Sequence, residues 1–206
     1  MNLARFVRAD FATFTSTQMP TTSRSKKARH TTLRGATRRR SKSHGLELPT
    51  PKLGPVNEWF ELRRSPIQGV GAFAIQDIPK GTRVIEYTGE KITNAEADRR
   101  YEEDTMGRHH TFLFILNQRQ VVDGAVGGNE SIFINHSCDP NCETEISRGK
   151  IWIHSLRAIP AGEELTYDYA YDYERGYTEK DLLFYACKCG SPKCRRTIVN
   201  TKRLLK

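Results

Sequence analysis

The run Ile132-Phe133-Ile134-Asn135-His136-Ser137-Cys138-Asp139-Pro140-Asn141-Cys142 limits what this 206-residue chain can fold into. It starts apolar and strand-like, then breaks into residues that hydrogen-bond, coordinate metal or reverse the chain. A strand that ends in Asn-His and then in a thiol places polar chemistry at the edge of a core. Taken alone, the same letters also suit an Asp-Pro turn with a satisfied core histidine and a buried thiol. The cysteines shift the balance. All five (Cys138, Cys142, Cys187, Cys189 and Cys194) lie in the last third of the chain. An odd, clustered set is a poor disulfide framework and points to metal ligation in a reducing, intracellular compartment.

Cys187-Lys188-Cys189-Gly190-Ser191-Pro192-Lys193-Cys194 is the most specific local signal. Thiolates two residues apart can grip one ion, and Gly190 with Pro192 allows the turn that returns Cys194 to it. Zinc takes four ligands in tetrahedral geometry, so three cysteines require a fourth donor elsewhere. Cys138 and Cys142 are the remaining thiols, and spacing does not choose between them. The competing reading is a free-standing knuckle or spare thiols.

Charge divides the chain. Residues 1–50 hold 11 Lys/Arg against Asp10 and Glu47, whereas residues 51–206 hold 22 Lys/Arg and 22 Asp/Glu. The whole excess of +9 therefore sits in the first quarter. With little apolar periodicity beyond Phe6, Phe11 and Phe14, that quarter cannot bury enough surface to offset its ordering entropy, and it is expected to be a disordered basic tail. Lys26-Lys27 and Arg38-Arg39-Arg40-Ser41-Lys42 have the form of a bipartite nuclear-import signal. The same charges could hold nucleic acid nonspecifically by neutralising phosphates. The first eighteen residues have some features of a transit peptide, against which Asp10 counts. No run of apolar residues is long enough to cross a membrane as a helix.

Pro49-Thr50-Pro51-Lys52-Leu53-Gly54-Pro55 reads as a linker, too rich in proline for a helix or sheet interior. Short strands follow: Trp59–Arg63, Gly69–Ala74, Arg83–Tyr87, Phe112–Leu116 paired with Gln120–Asp123 around Asn117, and Lys150–Leu156 with Trp152 and His154 on one side and Ile151 and Ile153 on the other. Ile78-Pro79-Lys80-Gly81 and Ile159-Pro160-Ala161-Gly162 are matching turns. Thr93–Tyr101 suits a short helix, with Thr93 as its cap and Glu96 completing a capping box. The expected class is mainly β with few short helices.

Glu163 to Tyr173 alternates tyrosine with Asp or Ala, so at strand spacing Tyr167, Tyr169, Tyr171 and Tyr173 would share one face. Four hydroxyls on one face are unusual for a core, because each needs a partner. Gly69-Val70-Gly71 lacks the third glycine and the helix of a dinucleotide site, which argues against a Rossmann cofactor fold.

Together, Gly69-Val70-Gly71, Glu86-Tyr87-Thr88-Gly89-Glu90, Phe133–Asn141 and Gly162–Tyr169 follow the order of the four motifs of the SET-domain lysine methyltransferases. Residues from about 57 to 200 resemble that family, and Cys187/Cys189/Cys194 resemble its post-SET zinc segment. The resemblance implies a β-clip-like SET fold of small sheets, with the Asn135-His136 segment threaded as a pseudoknot beside the tyrosine motif. It divides the chain into a tail and linker at 1–55, a SET domain at 56–175 and a zinc-binding post-SET segment at 176–206. It implies S-adenosylmethionine as methyl donor, S-adenosylhomocysteine as product and a Zn²⁺ ion. Gly69, Val70, Gly71, Asn135, His136 and Tyr169 would contact the donor, the glycines by letting the backbone approach it. Cys138, Cys187, Cys189 and Cys194 would hold zinc, leaving Cys142 free. Tyr169 would be the catalytic tyrosine, Tyr87 the second tyrosine of the lysine channel, and Tyr167 the residue limiting how many methyls fit.

That chemistry needs alignment of two reactants rather than an acid–base dyad. A lysine of pKa about 10.4 must first lose its proton, which an apolar channel favours. The resemblance makes a histone or another basic, lysine-bearing protein tail the expected substrate, and the chain's own basic tail another target. The rival reading is a non-catalytic chromatin or nucleic-acid binding module on a SET scaffold, against which the retained Tyr87, Asn135, His136 and Tyr169 speak. Four positions depart from the family pattern: Val70 for Trp, Phe112 for Tyr, Ile132 for Arg and Arg196 for Gly. Phe112 and Ile132 are expected to weaken donor binding without removing a catalytic group. The tail would send the protein to the nucleus if it is an import signal, whereas a bacterial chain would stay cytoplasmic or be directed to a host. Nothing in the sequence specifies an oligomeric state.

Overall fold

The computed structural model describes residues 49–101, 112–171 and 178–200. The readings made of the tail up to residue 48, and the place of Tyr173, lie outside the described residues.

Eleven short strands are formed among these residues: β1 (Gly54–Pro55), β2 (Phe60–Arg64), β3 (Val70–Ala74), β4 (Arg83–Tyr87), β5 (Glu90–Thr93), β6 (Leu113–Ile115), β7 (Gln120–Asp123), β8 (Asn135–His136), β9 (Cys142–Ser147), β10 (Lys150–Ser155) and β11 (Glu164–Tyr167). Two short α-helices, α1 (Asn94–Arg100) and α2 (Glu179–Phe184), and a 3-10 helix at Glu130–Phe133 join them. The mainly β expectation holds. One sheet runs β1-β2-β3-β11-β9-β10-β4, with β8 also paired to β11, and a three-stranded sheet runs β5-β7-β6. The proline of the linker enters the first sheet only at its edge, where a missing N–H costs no ladder bond.

Alternation explains the core. Phe60 and Leu62 on β2, Ala72 and Ala74 on β3, and Ile151 and Ile153 on β10 are all essentially inaccessible, while Glu61, Phe73 and Trp152 between them are only half-buried. The two Ile-Pro-x-Gly turns are partners in space: Ile78 and Ile159 exchange backbone hydrogen bonds of 2.8 and 2.9 Å. The Asn117 turn is built as expected, its Oδ1 accepting from the N–H groups of Arg119 and Gln120 at 2.9 and 3.0 Å.

Several local expectations change. Ile132-Phe133-Ile134 does not open as a strand, because Asn129 caps a 3-10 turn through Ser131 and the paired strand is limited to Asn135–His136. Three apolar residues are too few to distinguish the two periods. The strand does not run on through the tyrosines. β11 stops at Tyr167, the Asp168 carboxylate accepts from Ala170 N–H at 2.9 Å, and Ala170 takes φ +48°. Tyr171, beyond this turn, packs its ring on Tyr185 with centroids 5.6 Å apart. Thr93 caps α1 as expected, but the Glu96 carboxylate pairs with Arg99 and Arg100 instead of closing the capping box. A hairpin that the sequence reading does not anticipate joins β9 to β10: Arg148 and Gly149 both take positive φ, +50° and +71°, the conformation of a type I′ turn.

Candidate active site

β8 lies parallel to β11, with Asn135 opposite Thr166 and His136 opposite Tyr167. Asn141 fastens this arrangement. Its buried amide donates to Glu163 Oε1 and Glu164 O, both at 2.8 Å, and accepts from Thr166 N–H at 2.8 Å. The stretch from Asn135 to Asn141 is thereby laid against the strand that carries Tyr167 and leads into Tyr169.

His136 is almost fully enclosed, and its Nδ1 accepts from the Tyr169 N–H at 3.1 Å. The Tyr169 ring sits edge-on to the imidazole at 5.2 Å between centroids. Burial, helped by the Arg195 charge and opposed by Asp168, brings His136 down to about 4, so the ring is neutral near neutral pH. With Nδ1 accepting, its single proton is on Nε2, and it orients Tyr169 without carrying a positive charge.

Aromatic rings wall the next layer. Tyr167 lies 4.9 Å from Tyr169 and 6.5 Å from Phe114, which lies 5.3 Å from Tyr87. Tyr169 donates its hydroxyl hydrogen to Ile134 O at 3.0 Å, and Tyr87 donates to Phe112 O at 2.7 Å. Burial raises all three tyrosines, so they remain neutral phenols and not bases. The structure brings Tyr87, Tyr167, Tyr169, Asn135 and His136 into one neighbourhood.

The two glycines of the first motif behave differently. Gly69 takes φ +51°, and a Cβ there would meet nothing within 4 Å, so its backbone faces open space. At Gly71 a Cβ would stand 2.1 Å from Glu164 Oε1 and 3.0 Å from Asn135 Nδ2. This second glycine makes room for the protein's own side chains. Val70 contributes its carbonyl, which accepts from Asn135 Nδ2 at 3.1 Å.

Four thiols gather beside this layer. The Sγ atoms of Cys138, Cys187, Cys189 and Cys194 all lie within 4.8 Å of one another. A tetrahedron with metal–sulfur bonds of about 2.3 Å separates its sulfurs by about 3.8 Å, so the donor set fits zinc in kind, number and spacing. The Cys189 and Arg196 N–H groups point at Cys187 Sγ and Cys194 Sγ, at 3.4 and 3.3 Å. Burial disfavours the Cys189 thiolate, but hydrogen bonds from the backbone at Cys138 and Ser191 and from the neighbouring thiols outweigh it and bring Cys189 down to about 6. Cys142 is elsewhere: it is fully buried in the core at the start of β9, and burial pushes it up to about 12. The thiol left ambiguous by spacing is an inert core residue.

Two further contacts were not legible. Arg195, directly after Cys194, grips Asp168 with two hydrogen bonds of 2.6 and 2.8 Å, tying the thiol cluster to the residue between Tyr167 and Tyr169. A carboxylate inside a tyrosine run signals a partner, but nothing in the sequence names it. Ser65 and Glu164 likewise form a pair 99 positions apart. Of the four departures from the family pattern, two have structural explanations. Phe112 meets Tyr87 through its backbone carbonyl, which any side chain supplies, and Arg196 takes φ +67°, a conformation that glycine adopts without strain.

Residues 69–170 match the SET domain family. Histone-lysine N-methyltransferase 2D from Homo sapiens is 44% identical over 142 residues, covering 66% of this chain and 2% of that protein. The H3 lysine-4 specific histone-lysine N-methyltransferase of Saccharomyces cerevisiae is 37% identical over 139 residues, covering 64% of this chain and 12% of that protein. Among solved structures, a chain of "ctPRC2 in an autoinhibited conformation bound to S-adenosylmethionine" is similar, with a TM-score of 0.51 and 35% identity. That match covers 55% of this chain and 15% of the other. The chain belongs to the SET-domain family. It spans only a small part of the length of the curated relatives it matches.

Proposed function

We propose that this chain transfers methyl groups from S-adenosylmethionine to lysine side chains of proteins, histones foremost. The observation that carries the reading is the joining of Asn135-His136 to Tyr167 along one pair of parallel strands, and to Tyr169 by the hydrogen bond from its N–H to His136 Nδ1. The names of the relatives and the donor bound to the similar structure support it.

Gly69, Val70, Asn135, the His136 backbone and Tyr169 would hold the donor, which supplies an electrophilic methyl on a sulfonium. Tyr87, Tyr167 and Tyr169 line the lysine channel. Their low-dielectric wall disfavours the ammonium, so the lysine sheds its proton to water before its lone pair is aligned. Neutral phenol oxygens orient the amine and accept weak C–H hydrogen bonds from the polarised methyl. When bound, the donor would supply the methyl for a new N–C bond as its C–S bond breaks, the positive charge passing from sulfur to the lysine nitrogen. Tyr167 narrows the channel and limits the number of methyls accepted.

Cys138, Cys187, Cys189 and Cys194 hold one zinc ion, which makes the post-SET segment a wall of the site. The domains are the tail and linker at 1–55, the SET domain at 56–175 and the zinc segment at 176–206. A thiol cluster of this kind fits a reducing compartment, the nucleus if histones are the substrate.

The test is incubation with methyl-labelled S-adenosylmethionine and core histones, beside Tyr169→Phe and Asn135→Ala. Label should enter the histones with wild type and be lost in both variants. Equal signal from wild type and Asn135→Ala, or none from any protein, would favour a non-catalytic SET scaffold.

A further inference from the structure

Asn135 has its side-chain amide surrounded on the nitrogen side by acceptors. Nδ2 lies 2.8 Å from Glu164 Oε1, 3.1 Å from Ser65 Oγ, 3.1 Å from Val70 O and 3.4 Å from Gln68 O. Ser65 cannot reverse this polarity. Its one hydroxyl proton is directed to the Glu164 carboxylate, at 2.7 and 2.9 Å, so its lone pairs face Nδ2 and the Ile67 N–H. Turning the amide over would set Oδ1 against a carboxylate and two carbonyls, an arrangement without a donor. The amide therefore has one orientation, with Oδ1 presented on the opposite side. No hydrogen bond to Oδ1 is formed among the described residues.

We infer that Glu164, held by Ser65 and admitted by the missing side chain of Gly71, is a positioning residue that makes Asn135 a reader of cationic amines. Resting on the donor reading above, it assigns Asn135 Oδ1 to the donor's α-ammonium and excludes the carboxylate from that position. A free amide could rotate and serve either group. A locked one gives the amino-acid end of the donor a single direction, and with it the direction of the sulfonium methyl. The glycine requirement at position 71 follows from the same device, since any Cβ there displaces the Glu164 carboxylate.

Calorimetric titration of the full chain with S-adenosylhomocysteine and with its analogue lacking the α-amino group tests this without turnover. A hydrogen bond from a charged donor corresponds to about tenfold or more in affinity, so wild type should prefer the amine-bearing ligand by at least that factor. Glu164→Ala and Gly71→Ala should cut the preference to about threefold or less, chiefly by weakening the amine-bearing ligand. Ser65→Ala, which removes only a hydroxyl, should lower the same ratio and supplies the reading if the other two fail to fold. A purely structural role would weaken both ligands alike and leave the ratio intact, which overturns the inference. Wild type that binds neither ligand sinks the donor reading and this inference together. Wild type that discriminates, with folded variants that discriminate equally, sinks the inference alone.

Discussion

Removing the Arg195 side chain should loosen the zinc segment from the tyrosine strand by a predictable amount. The Arg195 and Asp168 side chains are 15% and 29% exposed and meet in a two-bond fork. At an effective dielectric of about 20, charges about 4 Å apart attract by about 4 kcal/mol. Desolvation and side-chain ordering offset roughly half of that, and water screens part of the Asp168 charge left behind, so Arg195→Ala should cost about 2 kcal/mol. In a domain of this size that is about 4–8 °C in Tm. Burial works against the Asp168 charge, but Arg195 and the Ala170 N–H outweigh it and hold the carboxyl below its ordinary range. A depressed carboxyl stabilises the fold above its unfolded pKa of about 3.9 and ceases to do so as pH falls through the folded value. The gap between wild type and Arg195→Ala should therefore be full near neutral pH and close in acid. Thermal melts across that range, with zinc counted in each sample because Arg195 adjoins Cys194, read both effects. A Tm unchanged near neutral pH at equal zinc content, or a gap that persists undiminished in acid, would refute the reasoning.

Other outcomes follow from the same geometry. Cys138→Ser should lower bound zinc below about one ion per chain in metal analysis, whereas Cys142→Ser should leave it unchanged. Arg196→Gly relieves a left-handed residue at φ +67° and should raise stability by about 0.5–1 kcal/mol in urea melts, since glycine adopts that region freely but loses more entropy on folding. Tyr167→Phe should move mass-spectrometric products toward higher methylation, and an unchanged product distribution would remove Tyr167 from that role.

How much was legible depended on whether the signal was local. β4 at Arg83–Tyr87 and the Thr93 cap of α1 could be read because alternation and capping are written within a few adjacent residues. Asn135, His136 and the tyrosines stood out because polar and phenolic groups interrupt apolar runs. The Ser65–Glu164–Asn135 cluster and the Asp168–Arg195 fork were not readable, since their members are 27 to 99 positions apart and each is an ordinary polar residue in its own stretch. Gly71 was legible as a place where another group comes close. Only the third dimension shows that the visitor is Glu164.

The most direct measurement is site-resolved mass spectrometry of core histones incubated with this protein and isotopically labelled S-adenosylmethionine. Labelled methyl groups on lysine Nζ with wild type, and their loss in Tyr169→Phe with donor binding retained, is the predicted result. Labelled methyl confined to other side chains, or lysine methylation undiminished in Tyr169→Phe, would contradict it.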